Sequence, residues 1–150
     1  GIVAHVDLLA GCDLFESRDV INGCVRPDKV SVLAIERVPD SFNARFSATL
    51  RHYLYRILNR RAPPTLDLGQ VWFVPVELDA GAMHEAAQLL LGHHDFTTFR
   101  AMQCQANSPL RTLDRLDVAR FGAFIAMRAS SRSFLHNQVR SMVGSLNFVG

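Results

Sequence analysis

The stretch Ser133-Phe134-Leu135-His136-Asn137-Gln138-Val139-Arg140-Ser141-Met142-Val143-Gly144-Ser145-Leu146 constrains the fold of this chain more than any other. Leu135, Val139, Met142, Val143, Leu146 and Val149 recur at three- and four-residue steps. That spacing predicts an amphipathic helix with one apolar face turned to a core. Ser131 or Ser133 is a candidate cap for its start. At about 100° per residue, His136, Arg140 and Gly144 form a stripe along one edge of the apolar face. Arg140 is thereby expected where core meets solvent, and periodicity alone makes it a surface arginine. Gly144 is a poor helix former, costing about 1 kcal/mol against Ala. A glycine on that stripe leaves room for close approach by another backbone or a ligand.

Other stretches surround this helix with strands. Residues 2–6, 30–38 and 71–74 read as strands, and a short helix fits around residues 15–22. Residues 46–58 form the longest strand candidate. Phe46, Ala48, Leu50, Leu54 and Leu58 fall on one face, expected to be core; Arg45, Ser47, Thr49, Arg51, Tyr53 and Tyr55 fall on the other. Two arginines and two tyrosines on one face suit a base and its phosphates, although tyrosine also favours exposed strands. Asp79 is expected to cap a helix reaching residue 91, with Met83, Ala86, Ala87 and Leu90 buried and Gly92 as its stop. Residues 94–102 read as a loop. Residues 111–120 and 123–130 read as a hairpin turning at Phe121-Gly122. This order is not a regular βαβ alternation. It predicts an α+β fold: a mixed, mostly antiparallel sheet with helices packed on one face.

A length of 150 residues fits a single domain with a sizeable core. No apolar run approaches the roughly 18 residues of a membrane span, and no signal-peptide pattern opens the chain. Cys12, Cys24 and Cys104 are odd in number and lack metal-like spacing, which fits reduced thiols in a cytoplasmic protein. The six histidines, including His93-His94, form no metal-binding pattern, so no metal is expected. Net charge is only +2, but fifteen of the sixteen basic residues are arginine and Lys29 is the single lysine. Arginine suits phosphate contacts and stacking on bases; codon bias is at least as good an explanation. Residues 2–6 begin as if in mid-structure, and Asn147-Phe148-Val149-Gly150 stops without a closing element, so a fragment is expected.

Four stretches resemble, in order, motifs of the tRNA pseudouridine synthase A family. Gly1-Ile2-Val3-Ala4-His5-Val6-Asp7-Leu8 resembles the strand after that family's catalytic loop, with Ile2 where glutamine is usual. Residues 42–55, Phe-Asn-Ala-Arg-Phe-Ser-Ala-Thr-Leu-Arg-His-Tyr-Leu-Tyr, resemble Phe-His-Ala-Arg-Phe-Ser-Ala-X-X-Arg-X-Tyr-X-Tyr, with Asn43 in the histidine's place. Residues 92–101, Gly-His-His-Asp-Phe-Thr-Thr-Phe-Arg-Ala, resemble a third motif, and the terminal helix completes the set. The resemblance covers essentially the whole chain.

What it implies is an isomerase converting uridine to pseudouridine in the anticodon stem-loop of tRNA, acting as a homodimer without cofactor. Arg140 matches the basic residue beside the catalytic aspartate, and Tyr53 matches the tyrosine that packs on the base. Arg45 and Arg51 are candidate RNA-backbone contacts, no better than even against solvated strand charges. The family's aspartate lies in Gly-Arg-Thr-Asp-Ala-Gly-Val-His, which these 150 residues do not contain; Asp7 and Asp13 do not stand in for it. The chain is expected to be one partial catalytic domain, inactive by itself. The alternative is a non-catalytic RNA-binding or dimerisation module of the same fold. Asp95 and Arg100 are candidates for caps or pairs within their own loop. Phe96 and Phe99 are expected in the core, and His136 as a packing histidine.

Overall fold

The computed structural model describes residues 1–9 and 11–150. Ala10, within the mixed stretch 8–29, lies outside the described residues. The chain divides into two compact units, residues 1–48 and 49–150.

In the first unit, helix α1 spans Leu14–Cys24. Asp13 caps it by accepting a hydrogen bond from the Glu16 amide at 2.8 Å, which satisfies one of the orphan donors of a helix start. The strands expected at 2–6 and 30–38 are not formed; both stretches are irregular and mostly exposed. A strand needs a paired neighbour for its amides and carbonyls. Here Asn22 takes that place at one point. Its Nδ2 donates to the Val32 carbonyl at 3.0 Å, and its Oδ1 accepts from the Val32 amide at 2.8 Å.

The second unit begins with β1, Arg51–Asn59, followed by β2, Trp72–Val74, and helix α2, Ala80–Gln88. Then come β3, Gly92–Asp95, a 3₁₀ turn at Thr97–Phe99, β4, Leu110–Leu113, β5, Arg115–Phe121, and β6, Phe124–Ser131. Helix α3, Gln138–Val149, closes the unit. One sheet has the order β2-β1-β6-β5, in which β1 runs parallel to β2 and the other pairs are antiparallel; β3 and β4 form a separate antiparallel pair. The architecture is α+β, with a mixed and mostly antiparallel sheet.

The long strand starts later than its alternation predicts, at Arg51. Its faces are also reversed. Register aligns Tyr53 with Ala129 and Leu116, Tyr55 with Met127 and Val118, and Ile57 with Ile125. Ile57 belongs to the core cluster with Met83, Ala87, Met142, Val143 and Leu146 from the two helices, and half-buried Tyr55 packs against that cluster. The tyrosine face is therefore the one the helices cover. On the face expected to be core, Leu54 is 60% exposed, and Phe46, ahead of the strand, is 79% exposed. Only Leu58 is buried there.

Asp79 caps α2 as expected, its carboxylate accepting from the amides of Gly81 at 2.8 Å and Ala82 at 3.0 Å. The helix stops at Gln88, short of Gly92. Gly92 has φ of +98° and opens β3, whose last two residues, His94 and Asp95, are paired with β4 where a loop was expected. The hairpin is present, turning through Gly122 at φ of +58°, a backbone conformation that suits glycine. Its first arm is divided: Arg111–Leu113 of the expected strand belong to β4, and β5 begins at Arg115.

Helix α3 starts at Gln138, later than its spacing suggests. Asn137 precedes it at φ of +61° and caps with no side-chain hydrogen bond. Neither serine caps it; the Ser131 hydroxyl instead donates to the Thr112 and Ser133 carbonyls. Leu135, outside the helix, is still buried, and its amide donates to the Gln138 side chain at 2.8 Å.

Two further contacts tie the unit together. Buried Asn59 donates to the Val74 and Val76 carbonyls and accepts from the Leu78 amide and the Arg120 guanidinium. The Asp79 amide donates to the Gly150 carbonyl at 3.1 Å, joining the start of α2 to the end of α3.

Candidate functional site

The first turn of α3 carries Arg140, and Gly144 follows one turn later on the same edge. Both line an open groove of about 570 Å³ together with Leu54, Tyr55 and Arg56 of β1, Gly69-Gln70-Val71 and Trp72. The Arg140 side chain is exposed, and among the described residues no carboxylate forms an ion pair with it. Arg56 is tethered: its guanidinium pairs with Asp67 at 3.2 Å and lies 5.9 Å from the Phe124 ring centre. Tyr55 and Trp72 meet edge-on with ring centres 6.4 Å apart. The groove therefore combines guanidinium groups with aromatic rings, a set suited to an anion attached to a flat, polarisable ring.

Tyr53 sits two residues before Tyr55, on the same strand face, and is 49% exposed. Its ring abuts Phe134, in the segment that leads into α3. Arg51, at the start of β1, donates to the Arg132 carbonyl at 2.5 Å. Arg45 belongs to the first unit, where its guanidinium lies 5.6 Å from the Phe46 ring centre. The structure thus brings Arg140 and Gly144 together with Tyr55 and Trp72, and sets Tyr53 against Phe134. Sequence reasoning missed Trp72, Arg56 and Phe134; the one tryptophan of the chain beside a turn was the available signal.

The remaining candidates hold structure. Asp95 Oδ1 accepts from the Thr97 hydroxyl at 2.6 Å and the Thr97 amide at 2.8 Å. These bonds, the hydroxyl's first, hold the Asp95 carboxyl below its ordinary value. Arg100 donates to the Cys104 carbonyl at 3.1 Å. Phe96 is buried and Phe99 packs on the core, as expected. His136 differs from expectation: its side chain is exposed, and it is the backbone that works, donating to Cys104 Sγ at 3.4 Å and accepting from the Ala101 amide. The Ala106 and His136 amides hold the Cys104 thiol below its usual range, against the opposing effect of burial. The three cysteines are free, and among the described residues no cluster of metal ligands forms. No helix among the described residues is long and apolar enough to cross a membrane.

Residues 86–150, from late in α2 to the end of α3, match the family model described as tRNA pseudouridine synthase. Similarity to individual proteins covers the rest. The chain is 65% identical over 150 residues to tRNA pseudouridine synthase A of Mesorhizobium japonicum, covering 99% of this chain and 60% of that protein. It is 61% identical over 150 residues to the protein of the same name from Xanthobacter autotrophicus, covering 100% of this chain and 61% of the relative. With that of Maricaulis maris the figures are 60% over 148 residues, 99% and 59%. The chain belongs to the tRNA pseudouridine synthase A family, and it spans about 60% of the length of these relatives.

Proposed function

We propose that this chain is part of the catalytic domain of an enzyme that isomerises uridine to pseudouridine in the anticodon stem-loop of tRNA. The observation that carries this is Arg140, exposed on a groove lined by aromatic rings, in a chain 65% identical to a protein named tRNA pseudouridine synthase A. In the reaction a carboxylate attacks the nucleoside, and the bond from ribose to the ring nitrogen breaks. The uracil turns and rejoins the ribose through a ring carbon as the carboxylate is released; that carbon gives up its proton and the freed ring nitrogen takes one up, so the product is an isomer of the substrate. The base must leave the helical stack first.

Arg140 keeps the attacking carboxylate ionised and oriented by charge pairing. The Tyr53 ring packs on the displaced base. Arg51 and Arg45 hold the RNA backbone. The carboxylate is supplied from outside the 150 residues, the enzyme works as a homodimer in the cytoplasm, and the chemistry uses neither metal nor cofactor.

The test is a chimera in which these 150 residues replace the matching segment of the Mesorhizobium japonicum relative. Tritium release from tRNA labelled at uridine reads turnover. The chimera should turn over, and the 150-residue chain by itself should not, because covalent catalysis has no substitute for the attacking group. A folded but inactive chimera would remove this function from the chain.

A further inference from the structure

Strand β5 ends its sheet and pairs with β6 along one side. Along an antiparallel strand, alternate residues turn their amide and carbonyl to the partner, and the residues between turn theirs away. Counted back from the turn pair of Phe121 and Phe124, it is Ala119, Asp117 and Arg115 that bond to β6. Leu116 and Val118 therefore present their backbone groups to the outer edge. Such an edge is a template on which another strand can add.

Here helix α2 takes the place of that strand. Gln88 Nε2 donates to the Leu116 carbonyl at 3.0 Å, and the Val118 amide donates to His84 Nδ1 at 3.2 Å. His84 and Gln88 stand one turn apart, so their side chains share a face of the helix. A helical turn rises about 5.4 Å and two strand residues about 6.8 Å, so one donor and one acceptor of the helix can meet the acceptor and donor of the strand. Gln88 Nε2 also lies 3.4 Å from His84 Nδ1. With two N–H groups converging on it, that ring nitrogen is the bare one, and the ring hydrogen sits on Nε2.

We infer that His84 and Gln88 are an edge guard: they fill the hydrogen-bonding positions of a neighbouring strand and so close β5 to strand addition by a second copy of this chain. Leu116 and Val118 are buried, and apolar side chains at 84 and 88 would cover them as well. Apolar side chains would leave the Leu116 carbonyl and the Val118 amide without partners, ready for a like strand. The polar pair on α2 answers that need and packing alone does not. The guard is independent of the reaction proposed above.

The experiment uses the 150-residue chain. Nitrogen-15 NMR of the imidazole reads the tautomer, hydrogen exchange reads the Val118 amide, and thioflavin fluorescence with sedimentation reads strand-mediated association. His84 should carry its hydrogen on Nε2. His84→Leu should speed exchange of the Val118 amide by about tenfold, the worth of one hydrogen bond. His84→Asn, whose side-chain carbonyl restores an acceptor, should recover most of the protection. Gln88→Leu, at an exposed position, should raise the rate of association, and the double leucine variant should raise it by about tenfold or more over the parent. A hydrogen on Nδ1, unchanged Val118 exchange in His84→Leu, or leucine variants that stay folded and associate no faster than the parent would each overturn the inference. The first of these is read in the parent itself, so it can overturn the inference even where a variant fails to fold.

Discussion

The rings of Tyr53 and Phe134 meet edge to face, with centres 5.2 Å apart and planes at 90°. One residue is on β1, and the other is in the segment between β6 and α3. The orientation of the tyrosine is thus tied to the entry of the helix that carries Arg140. Such a pair contributes about 0.5–1.5 kcal/mol beyond the area it buries. In the chimera, Tyr53→Phe keeps the ring contact and should keep the stability. If Tyr53 packs on the base as proposed, Tyr53→Ala should lose about 1–3 kcal/mol of base stacking and leave the base misplaced, so turnover should fall well beyond tenfold. Parent-like tritium release from the alanine variant would make Tyr53 an ordinary strand residue.

Arg140 separates charge pairing from packing. An arginine buried at the core edge would be strained without its carboxylate, but this side chain is exposed. Arg140→Met should therefore shift the stability of the 150-residue chain by less than about 0.5 kcal/mol in denaturant melts. In the chimera the same substitution should abolish pseudouridine formation. Retained turnover would make Arg140 an ordinary surface arginine with no part in the chemistry.

Asp95 sets an acid limit. Its carboxyl is held below its ordinary value by the Thr97 hydroxyl and then the Thr97 amide, with burial opposing. The folded state thus favours the ionised form. The stabilisation is fully present above the unfolded value of about 3.9 and is lost as the pH falls through the lower folded value. Asp95→Asn should flatten the melting-temperature profile in that acid window and leave its shape near neutral pH unchanged. Superimposable acid limbs would acquit Asp95.

Asn59 is a structural test rather than a catalytic one. Asn59→Leu conserves volume but strips partners from the Leu78 amide and from the Val74 and Val76 carbonyls. A buried group left unpaired costs about 1–3 kcal/mol, so a loss of about 3 kcal/mol or more is the outcome to look for in urea melts. A loss under about 1 kcal/mol would mean water replaces the amide.

The legible parts of the fold were those with local causes. Asp79 capped α2 because a carboxylate before a helix satisfies its first amides, and Gly122 turned a hairpin between two alternating arms. The apolar spacing of α3 was equally readable, and so was Arg140 at its exposed edge. Partnership was not. Residues 2–6 and 30–38 have strand composition, but composition does not say whether a neighbour is there to pair with. The face of β1 was misread because Leu50 and Leu54 are apolar, whereas the helices select the face carrying Tyr55 and Ile57. The groove was legible only as the stripe of Arg140 and Gly144. Trp72 reaches it through the parallel pairing of β2 with β1, a contact no local pattern announces.

The bond from the Asp79 amide to the Gly150 carbonyl closes a loop that spans most of the second unit. Gly150 in turn donates to Leu146, and Asp79 holds the first amides of α2. Neither helix end can fray without releasing the other. In hydrogen exchange, the amides of Asp79, Gly81, Ala82 and Gly150 should therefore open with one shared rate, so that two helix ends far apart in sequence breathe as a single cooperative unit.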